Sequence, residues 1–369
     1  MSELKSIMLL PYCPLPVDQG AKAEMGKTLE CLRELGPCTL LSARRRPVGM
    51  GWTAAAIDEL KSRGFRLAFE DDEKSRRLRP GWAVGMAYAV ACKVLGLERA
   101  FGHANPYHRL AFDPEWVARH SESADLALIH YSYWARLPCA CPKVVVLHDL
   151  LSDIMWGGAE TETQDLKSAA LVVVISKQEE IRLHERGVTR TVWSPPFVAA
   201  ADLPDSDRVG IVGSSNAFNR EGLRWLGAAE DLPPVKVFGQ LARFASHRGF
   251  EPMGRYEHAL DPYRQCGIVL MTTASGTGVQ IKTIESLAAG RAIVARRGAM
   301  RGIPPGDGAW IVVDTPEEMW DAARRLAKDR AARARQMAAA REYYRAHLDA
   351  VRLRAELKAA LSRAARETV

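Results

Sequence analysis

Short apolar runs alternate along this chain with longer stretches whose apolar residues recur at helical spacing. Up to about Pro196, the runs Ile7–Leu10, Thr39–Ser42, Phe65–Phe69, Leu126–His130, Val144–Leu147, Leu171–Ile175 and Thr191–Trp193 predict strands. Between them, Ala23, Met25, Leu29, Leu32 and Leu35 fall at helical intervals, and residues 54–63, 82–97 and 179–186 repeat that pattern. Strands apolar through their whole length, separated by helices, predict a parallel sheet covered on both faces. A second series follows at Arg208–Val212, Val235–Phe238, Ile268–Met271, Ala292–Ala295 and Trp310–Val313. The prolines and acids of residues 194–208 interrupt both periods, as an interdomain linker does. From 316 to 366 the chain is rich in Ala and Arg, with Leu, Met and Tyr at helical intervals, which predicts amphipathic helices. The expected architecture is α/β, with two doubly wound Rossmann-like domains whose strand C-termini face a cleft. Its parts are an N-terminal domain over 1–196, a linker over 197–207, a second domain over 208–341, and a C-terminal helix over 342–369 packing back on the first domain.

A length of 369 residues fits two domains at roughly 100–200 residues each. With 47% hydrophobic and 26% charged residues, intrinsic disorder is excluded as the main state. Lys and Arg exceed Asp and Glu by 51 to 44, a net charge of +7, which favours anionic partners: nucleotides, nucleic acid or acidic lipid headgroups. The arginines of the C-terminal helices invite a nucleic-acid reading, but Asp329, Glu342, Asp349 and Glu356 are interspersed among them, as on a solvated helix face. No apolar run reaches the roughly 18–20 residues that cross a bilayer; the greasiest, 82–97, is broken by Lys93 and flanked by Arg79 and Arg99. The first residues read as a strand and not as a signal peptide, so the expected location is the cytoplasm. Seven cysteines are odd in number, and Cys139-Ala-Cys141 is too tightly spaced for a zinc site, which leaves reduced, packed thiols as the reading.

The chemistry concentrates in Met271-Thr-Thr-Ala-Ser-Gly-Thr-Gly-Val-Gln-Ile-Lys-Thr-Ile-Glu285. A strand ends near Thr272, a small-residue loop turns at Gly276 and Gly278, and a helix is expected to start near Val279 with Ile281, Ile284, Leu287 and Ala288 buried. Such a loop presents free backbone N–H groups and a helix N-terminus, which suit phosphate. Lys282 adds a point charge, and Glu285, three residues on and on the same face, suits sugar hydroxyls. A plain strand-turn-helix with a surface Lys and Glu fits the periodicity equally well. No Gly-x-x-x-x-Gly-Lys-Ser/Thr is present, and the first loop, Pro11 to Ala21, has one turn glycine instead of Gly-x-Gly-x-x-Gly. These absences disfavour a P-loop phosphotransferase and a dinucleotide-dependent oxidoreductase.

The segment from Gly276 to Val294, Gly-Thr-Gly-Val-Gln-Ile-Lys-Thr-Ile-Glu-Ser-Leu-Ala-Ala-Gly-Arg-Ala-Ile-Val, resembles the donor-binding signature of nucleotide-sugar glycosyltransferases of the two-Rossmann-domain (GT-B) type, in particular glycosyltransferase family 4. Ile211–Leu226, Val237–Gly239 and Gly249–Tyr256 resemble, in order, the first strand and helix of that family's C-terminal domain and the strands before its base-binding loop. Val146-Leu-His148-Asp149, Val174-Ile-Ser176 and the loop at Gly20 resemble N-terminal counterparts. Two departures stand out. The first of the family's two glutamates is replaced by Thr277, and Ala21 stands where a second glycine is usual.

The resemblance implies transfer of a sugar from a UDP-, GDP- or dTDP-sugar to a carbohydrate, lipid-linked or other hydroxyl acceptor, with retention. Glu285 would hold the ribose, while Lys282 and the amides of Thr277, Gly278 and Val279 would neutralise the leaving diphosphate, with Ser275 and Gly276 also in the donor-binding loop. Gly20, Gly213 and Ser214 would approach the phosphates, with Arg220 a second cation. Gly254, Arg255 and Tyr256 would border the base, and His148 would lie across the cleft near the transferred sugar. His148-Asp149 also fits a turn cap, Ser176 a helix cap, and Asp18 and Gln19 turn residues, with Asp18 also placed for a base in an inverting variant. No metal site is expected, because Glu70-Asp-Asp72 lies in an acidic, solvent-like run. The basic Arg76-Arg-Leu-Arg79 beside 82–97 fits either a peripheral contact with an anionic membrane or a capped core helix. A non-catalytic sugar-nucleotide binding protein and a DNA- or nucleotide-modifying glycosyltransferase are the alternatives, with nucleic acid a partner in the latter.

Overall fold

A computed structural model describes residues 3–16, 20–44, 51–73, 112–154, 158–229, 234–306 and 308–366. The chain divides into two compact units, Met1–Pro196 with Arg354–Val369, and Phe197–Leu353.

The first unit holds a seven-stranded sheet in the order β3-β2-β1-β4-β5-β6-β7, every neighbouring pair parallel. Its strands are β1 (Ser6–Leu9), β2 (Cys38–Ser42), β3 (Arg66–Phe69), β4 (Leu126–His130), β5 (Lys143–Leu147), β6 (Leu171–Val174) and β7 (Thr191–Trp193). Helices α1 (Gly20–Leu35), α2 (Ala54–Ser62), α3 (Glu70–Glu73), α4 (Pro114–Ser121), α5 (Leu151–Ile154), α6 (Ala159–Lys167) and α7 (Lys177–Glu185) fall between them. Side chains alternate across a strand, so the central strands feed two separate cores. On one face Ile7, Leu9 and Ile129 pack with Trp116 and Trp134, and beside them Val145, Leu147, Val172 and Val174 pack with Leu183; Met8, Leu128, Val144, Val146 and Val173 are buried on the other. This is why the strands read as unbroken apolar runs.

The second unit carries a parallel six-stranded sheet, β10-β9-β8-β11-β12-β13. Its strands are β8 (Val209–Val212), β9 (Val235–Phe238), β10 (Phe250–Gly254), β11 (Ile268–Met271), β12 (Ala292–Arg296) and β13 (Ile311–Val313). The helices are α8 (Ala217–Leu226), α9 (Asp261–Gln265), α10 (Ile281–Ala288), α11 (Pro316–Lys328) and α12 (Arg330–Tyr343). Thr315 and Glu318 close a reciprocal capping box at the start of α11, with Pro316 at its first position. Edge strand β10 is absent from the hydrophobic pattern because only Phe250 of its five residues is buried. Helix α10 begins at Ile281, two residues later than its periodicity predicts.

A π-type turn, Tyr344–Leu348, separates α12 from the last helix, α13 (Ala350–Ala364). Leu357, Ala360, Leu361 and Ala364 bury its apolar stripe. Arg354 and Lys358 on its polar side donate to Glu34 of α1 at 2.9 and 2.8 Å, and these bonds hold the Glu34 carboxyl below the usual carboxylate range. Among the described residues, no helix is long and apolar enough to cross a membrane. Cys13, Cys31, Cys38, Cys139, Cys141 and Cys266 are free thiols. Burial pushes Cys38 up to about 12, which makes it inert at neutral pH.

Candidate active site

In the second unit, chain connections diverge at the boundary between β8 and β11. There the strand order reverses, and ligands of open α/β sheets bind outside the carboxyl ends. The loop after β8 carries Gly213 and Ser214, and the loop after β11 runs through Ser275, Gly276, Thr277, Gly278 and Val279 into α10. Gln280 occupies the N-cap of α10, but its side chain makes no cap and donates instead to Ala299 O at 2.8 Å. The first turn holds no acidic residue. Among the described residues, the backbone N–H groups of Thr277, Gly278 and Val279 have no backbone acceptor. A helix N-terminus without a cap, beside free amides, has an unfilled demand for an anion.

Glycine is required here by position. Gly302 has φ +84°, and a Cβ on it would lie 2.6 Å from Gly278 O, so the loops after β11 and β12 interlock. Gly276 has φ +130°, and a Cβ on it would lie 2.5 Å from Arg301 Nη2. Arg301 Nη1 donates to Thr273 O at 3.0 Å, which fixes a cation against the loop.

Lys282 lies one residue into α10, and its ammonium end is enclosed. Its Nζ donates to Asn219 Oδ1 (2.8 Å) and Thr273 Oγ1 (3.2 Å). Asn219 Nδ2 donates in turn to Ser214 O (3.1 Å), so one network ties the loop after β8 to the loop after β11. Burial first, then the nearby Arg301 charge, lowers the Lys282 amine to about 7, against a smaller opposing pull from Glu285. Two neighbouring cations, one of them desolvated, are what a multiply charged anion would relieve.

Glu285 Oε2 accepts from the fully buried Tyr263 hydroxyl at 2.7 Å. Burial raises the Glu285 carboxyl, while the Tyr263 bond and the Lys282 charge hold it down. Tyr256, pushed up to about 12 by burial and by Glu285, lies on the same side. With Arg255 it lines a hollow of about 390 Å³ together with Phe238, Met253, Arg264 and Gln265. Gly254 has φ +76° and passes its carbonyl to Gly239 N at 2.7 Å. Arg220 is exposed and packs over the Phe244 ring at 5.2 Å. A larger hollow of about 600 Å³, lined by Arg208, Lys236 and Lys328 among others, opens at the opposite, N-terminal edge of the strands, away from this chemistry.

In the first unit, His148 directly follows β5 and is almost fully buried. Its Nε2 lies 2.9 Å from His130 Nδ1, and the Tyr131 ring stacks on it at 4.2 Å. Burial, then the Lys27 charge, lowers His148 to about 3, so it is a neutral imidazole at physiological pH. The loop that carries it is pinned by two carboxylates. Glu179 accepts from Leu150 N (3.2 Å), and Glu162 accepts from Leu151 N (3.1 Å), Ser152 N (3.0 Å) and the Ser132 hydroxyl (2.5 Å). Glu162→Ala strands three donors and is expected to cost about 2–3 kcal/mol of unfolding free energy, read from denaturant curves. A value near zero would show that water replaces the carboxylate.

Ser176 occupies the N-cap of α7 and is buried, but its side chain makes no capping bond, which removes the cap as its explanation. Gly20 opens α1, whereas Asp18 and Gln19 lie outside the described residues, as do Arg76, Arg77, Arg79 and residues 82–97. The run Glu70–Glu73 forms the short helix α3, where Asp72 pairs with Arg44 (2.5 Å) and Glu70 accepts from Asp113 N (2.7 Å). Among the described residues, no three His, Cys, Asp or Glu side chains are placed to hold a metal ion. The sequence pattern does not single out Asn219, Tyr263, Thr273 or Arg301 as site residues, since each looks like an ordinary helix or loop residue until the sheet brings them together.

Residues 220–359 match the family model described as glycosyl transferase-like. The match spans less than half of the chain and takes in the loop after β11 and all of α10. HepE of Anabaena, solved with UDP, superposes with a TM-score of 0.66 at 13% identity over 98% of this chain and 100% of that one. TarM of S. aureus gives 0.67 at 9% identity over 97% and 99%. The sucrose-phosphate synthase of Thermosynechococcus elongatus gives 0.62 at 14% identity over 98% and 99%. At such identities these structures establish the shared fold alone, a GT-B fold of two Rossmann-like units. No curated protein matches the chain. The matched stretch contains both members of the Lys282–Glu285 pair and the whole loop from Ser275 to Val279.

Proposed function

We propose that this protein is a glycosyltransferase that moves a sugar from a nucleoside-diphosphate donor to an acceptor hydroxyl, with the donor held by the second unit. The observation that carries the reading is the Lys282 and Arg301 pair beside the uncapped start of α10, at the sheet's switch point. These groups suit a diphosphate leaving group, whose growing charge they would stabilise without proton transfer. In this reading Glu285, oriented by Tyr263, takes the ribose hydroxyls. The hollow beside Tyr256 takes the base, and Gly213 and Ser214 flank the phosphates. Arg220 is a second cation at the rim, and His148 serves the transferred sugar. The complexes of HepE with UDP and UDP-glucose make a UDP-sugar the first donor to test. Membership of family 4 and retention of configuration rest on the sequence resemblance. The acceptor is a carbohydrate or another hydroxyl compound, and the free thiols fit a reducing compartment such as the cytoplasm.

A panel of UDP-, GDP- and dTDP-sugars, assayed for nucleotide release without acceptor, tests the reading. One donor is expected to be hydrolysed slowly and faster with an acceptor present. Tight nucleotide binding without turnover of any donor would identify a binding protein instead. Because the protein supplies the neutralising cations, EDTA is expected to change the rate less than twofold. Loss of activity restored only by Mg²⁺ or Mn²⁺ would overturn the metal-free mechanism.

A further inference from the structure

We propose that Thr28 and His130 form a proton-ordered relay that fixes His148 as the Nε2–H tautomer, leaving its Nδ1 as a bare hydrogen-bond acceptor for a substrate hydroxyl. The role toward substrate rests on the glycosyltransferase reading, whereas the relay itself rests on hydrogen-bond geometry and on the burial that keeps both rings neutral.

The order follows from one hydroxyl proton. Thr28, on α1, has Oγ1 3.0 Å from Met25 O and 3.2 Å from Glu24 O, two carbonyls of its own helix that only accept. The hydroxyl proton therefore points at a carbonyl. Were it given to His130, the Thr28 oxygen would face two carbonyl oxygens with no proton between them. His130 Nε2, 3.1 Å from Thr28 Oγ1, must then be the donor. His130 is completely buried, and burial, reinforced by His148 and Lys27, holds it well below its ordinary value, so its ring is neutral with a single proton. With that proton on Nε2, His130 Nδ1 is an acceptor, and its 2.9 Å partner His148 Nε2 carries the next proton. His148 is neutral for the same reason, which leaves its Nδ1 unprotonated. Among the described residues no group pairs with that nitrogen.

The ring plane is fixed as firmly as the proton. Tyr131 stacks on His148 at an interplanar angle of 18°. It does so from φ +72°, the one described non-glycine residue with positive φ, and its hydroxyl lies 3.0 Å from that of Tyr12. A bulky residue held in that region stores strain that the surrounding contacts must offset, a frequent mark of a functional site. An imidazole locked in plane and tautomer presents a directional acceptor at no ordering cost on binding. Thr28 and His130 are thus positioning residues that act through His148.

Long-range proton–nitrogen NMR spectra of the ¹⁵N-labelled full chain, wild type against Thr28→Val and Thr28→Ser, test the relay directly. Wild-type His148 should show a protonated Nε2 and an unprotonated Nδ1. Thr28→Val strands the buried His130 Nε2–H, so His130 should move its proton to Nδ1 and donate to His148, switching His148 to the Nδ1–H form. Thr28→Ser should restore the wild-type pattern. In turnover of a nucleoside-diphosphate sugar, Thr28→Val should lower kcat about tenfold with nucleotide affinity unchanged, and Thr28→Ser should recover it. A wild-type His148 protonated on Nδ1, or a Thr28→Val spectrum identical to wild type, overturns the relay. Equal kcat in all three proteins overturns the positioning role. The assigned tautomer in a protein that turns over no nucleotide sugar upholds the relay and removes only the reading of the reaction.

Discussion

Lys282→Ala is expected to lower sugar transfer about 10²–10³-fold while leaving the fold intact, the usual consequence of deleting one preorganised charge aimed at a developing anion. Stability and proton uptake report on the same residue independently of the rate. The Lys282 amine stands at about 7 in the free protein, far below the 10.5 of an unperturbed lysine, chiefly because it is desolvated and close to Arg301. Between those two values the unfolded chain binds the proton that the folded chain releases, so this residue's contribution to stability rises with pH through that window and is unfavourable below it. Removing Lys282 should therefore leave the free protein as stable as wild type, or more so, at pH 6. Loss of activity with no loss of stability separates a binding group from a packing group. A bound diphosphate favours the charged amine and raises its pKa. Nucleoside-diphosphate binding should then take up a proton near neutrality, and affinity should fall as pH rises above about 7 and level off below it. Calorimetry in buffers of different ionisation enthalpy reads the proton directly, and Lys282→Ala should abolish its uptake. Wild-type-like kinetics in the variant, or proton-neutral binding in both proteins, would remove Lys282 from the diphosphate site.

The same stretch shows how far the amino-acid sequence reaches. Strands β4 and β11 lie where the apolar runs put them, because a strand buried on both faces leaves an unbroken apolar signature; β9, interrupted by Lys236, and β7, a half-buried edge strand, also lie there on shorter runs. β10 left none, since Glu251 and Pro252 face solvent on a sheet edge and only resemblance pointed to it. At the site, Lys282 and Glu285 were legible from a local feature, three residues apart behind a small-residue loop. Their partners were not. Asn219 is 63 residues from Lys282, and Tyr263 is 22 from Glu285, and nothing local distinguishes an Asn that holds an ammonium from one that caps a turn. Arg301 belongs to the same class, since its charge matters only because two glycine loops interlock and place it against Gly276. In the first unit His148 was legible by resemblance, but His130, which decides which of its nitrogens carries the proton, lies on a different strand and reads from the sequence as the last residue of an apolar run.

Glu285→Gln is expected to reduce transfer roughly 10–10²-fold at pH 7.5, and the loss should be partly reversed on acidification. Glutamine keeps the size of the side chain and still offers an oxygen to the Tyr263 hydroxyl, so the pocket is preserved and only the charge is removed. That charge is the one anionic influence raising the Lys282 amine, against burial and Arg301, which lower it. Without it the amine falls below about 7 and is largely neutral at pH 7.5, which weakens the diphosphate site even though Lys282 is untouched. Lowering the pH to 6 reprotonates it and should recover part of the rate. Glu285→Ala, which also deletes the acceptor for sugar hydroxyls and strands the buried Tyr263 hydroxyl, should show a larger loss that acid does not repair. Tyr263→Phe, which leaves the carboxylate charged but less well oriented, should raise the donor KM with little change in the pH profile. The pH–rate profiles of the four proteins discriminate these effects. If Glu285→Gln runs parallel to wild type across the range, the carboxylate does not set the charge of Lys282, and its contribution reduces to a hydrogen bond with the donor.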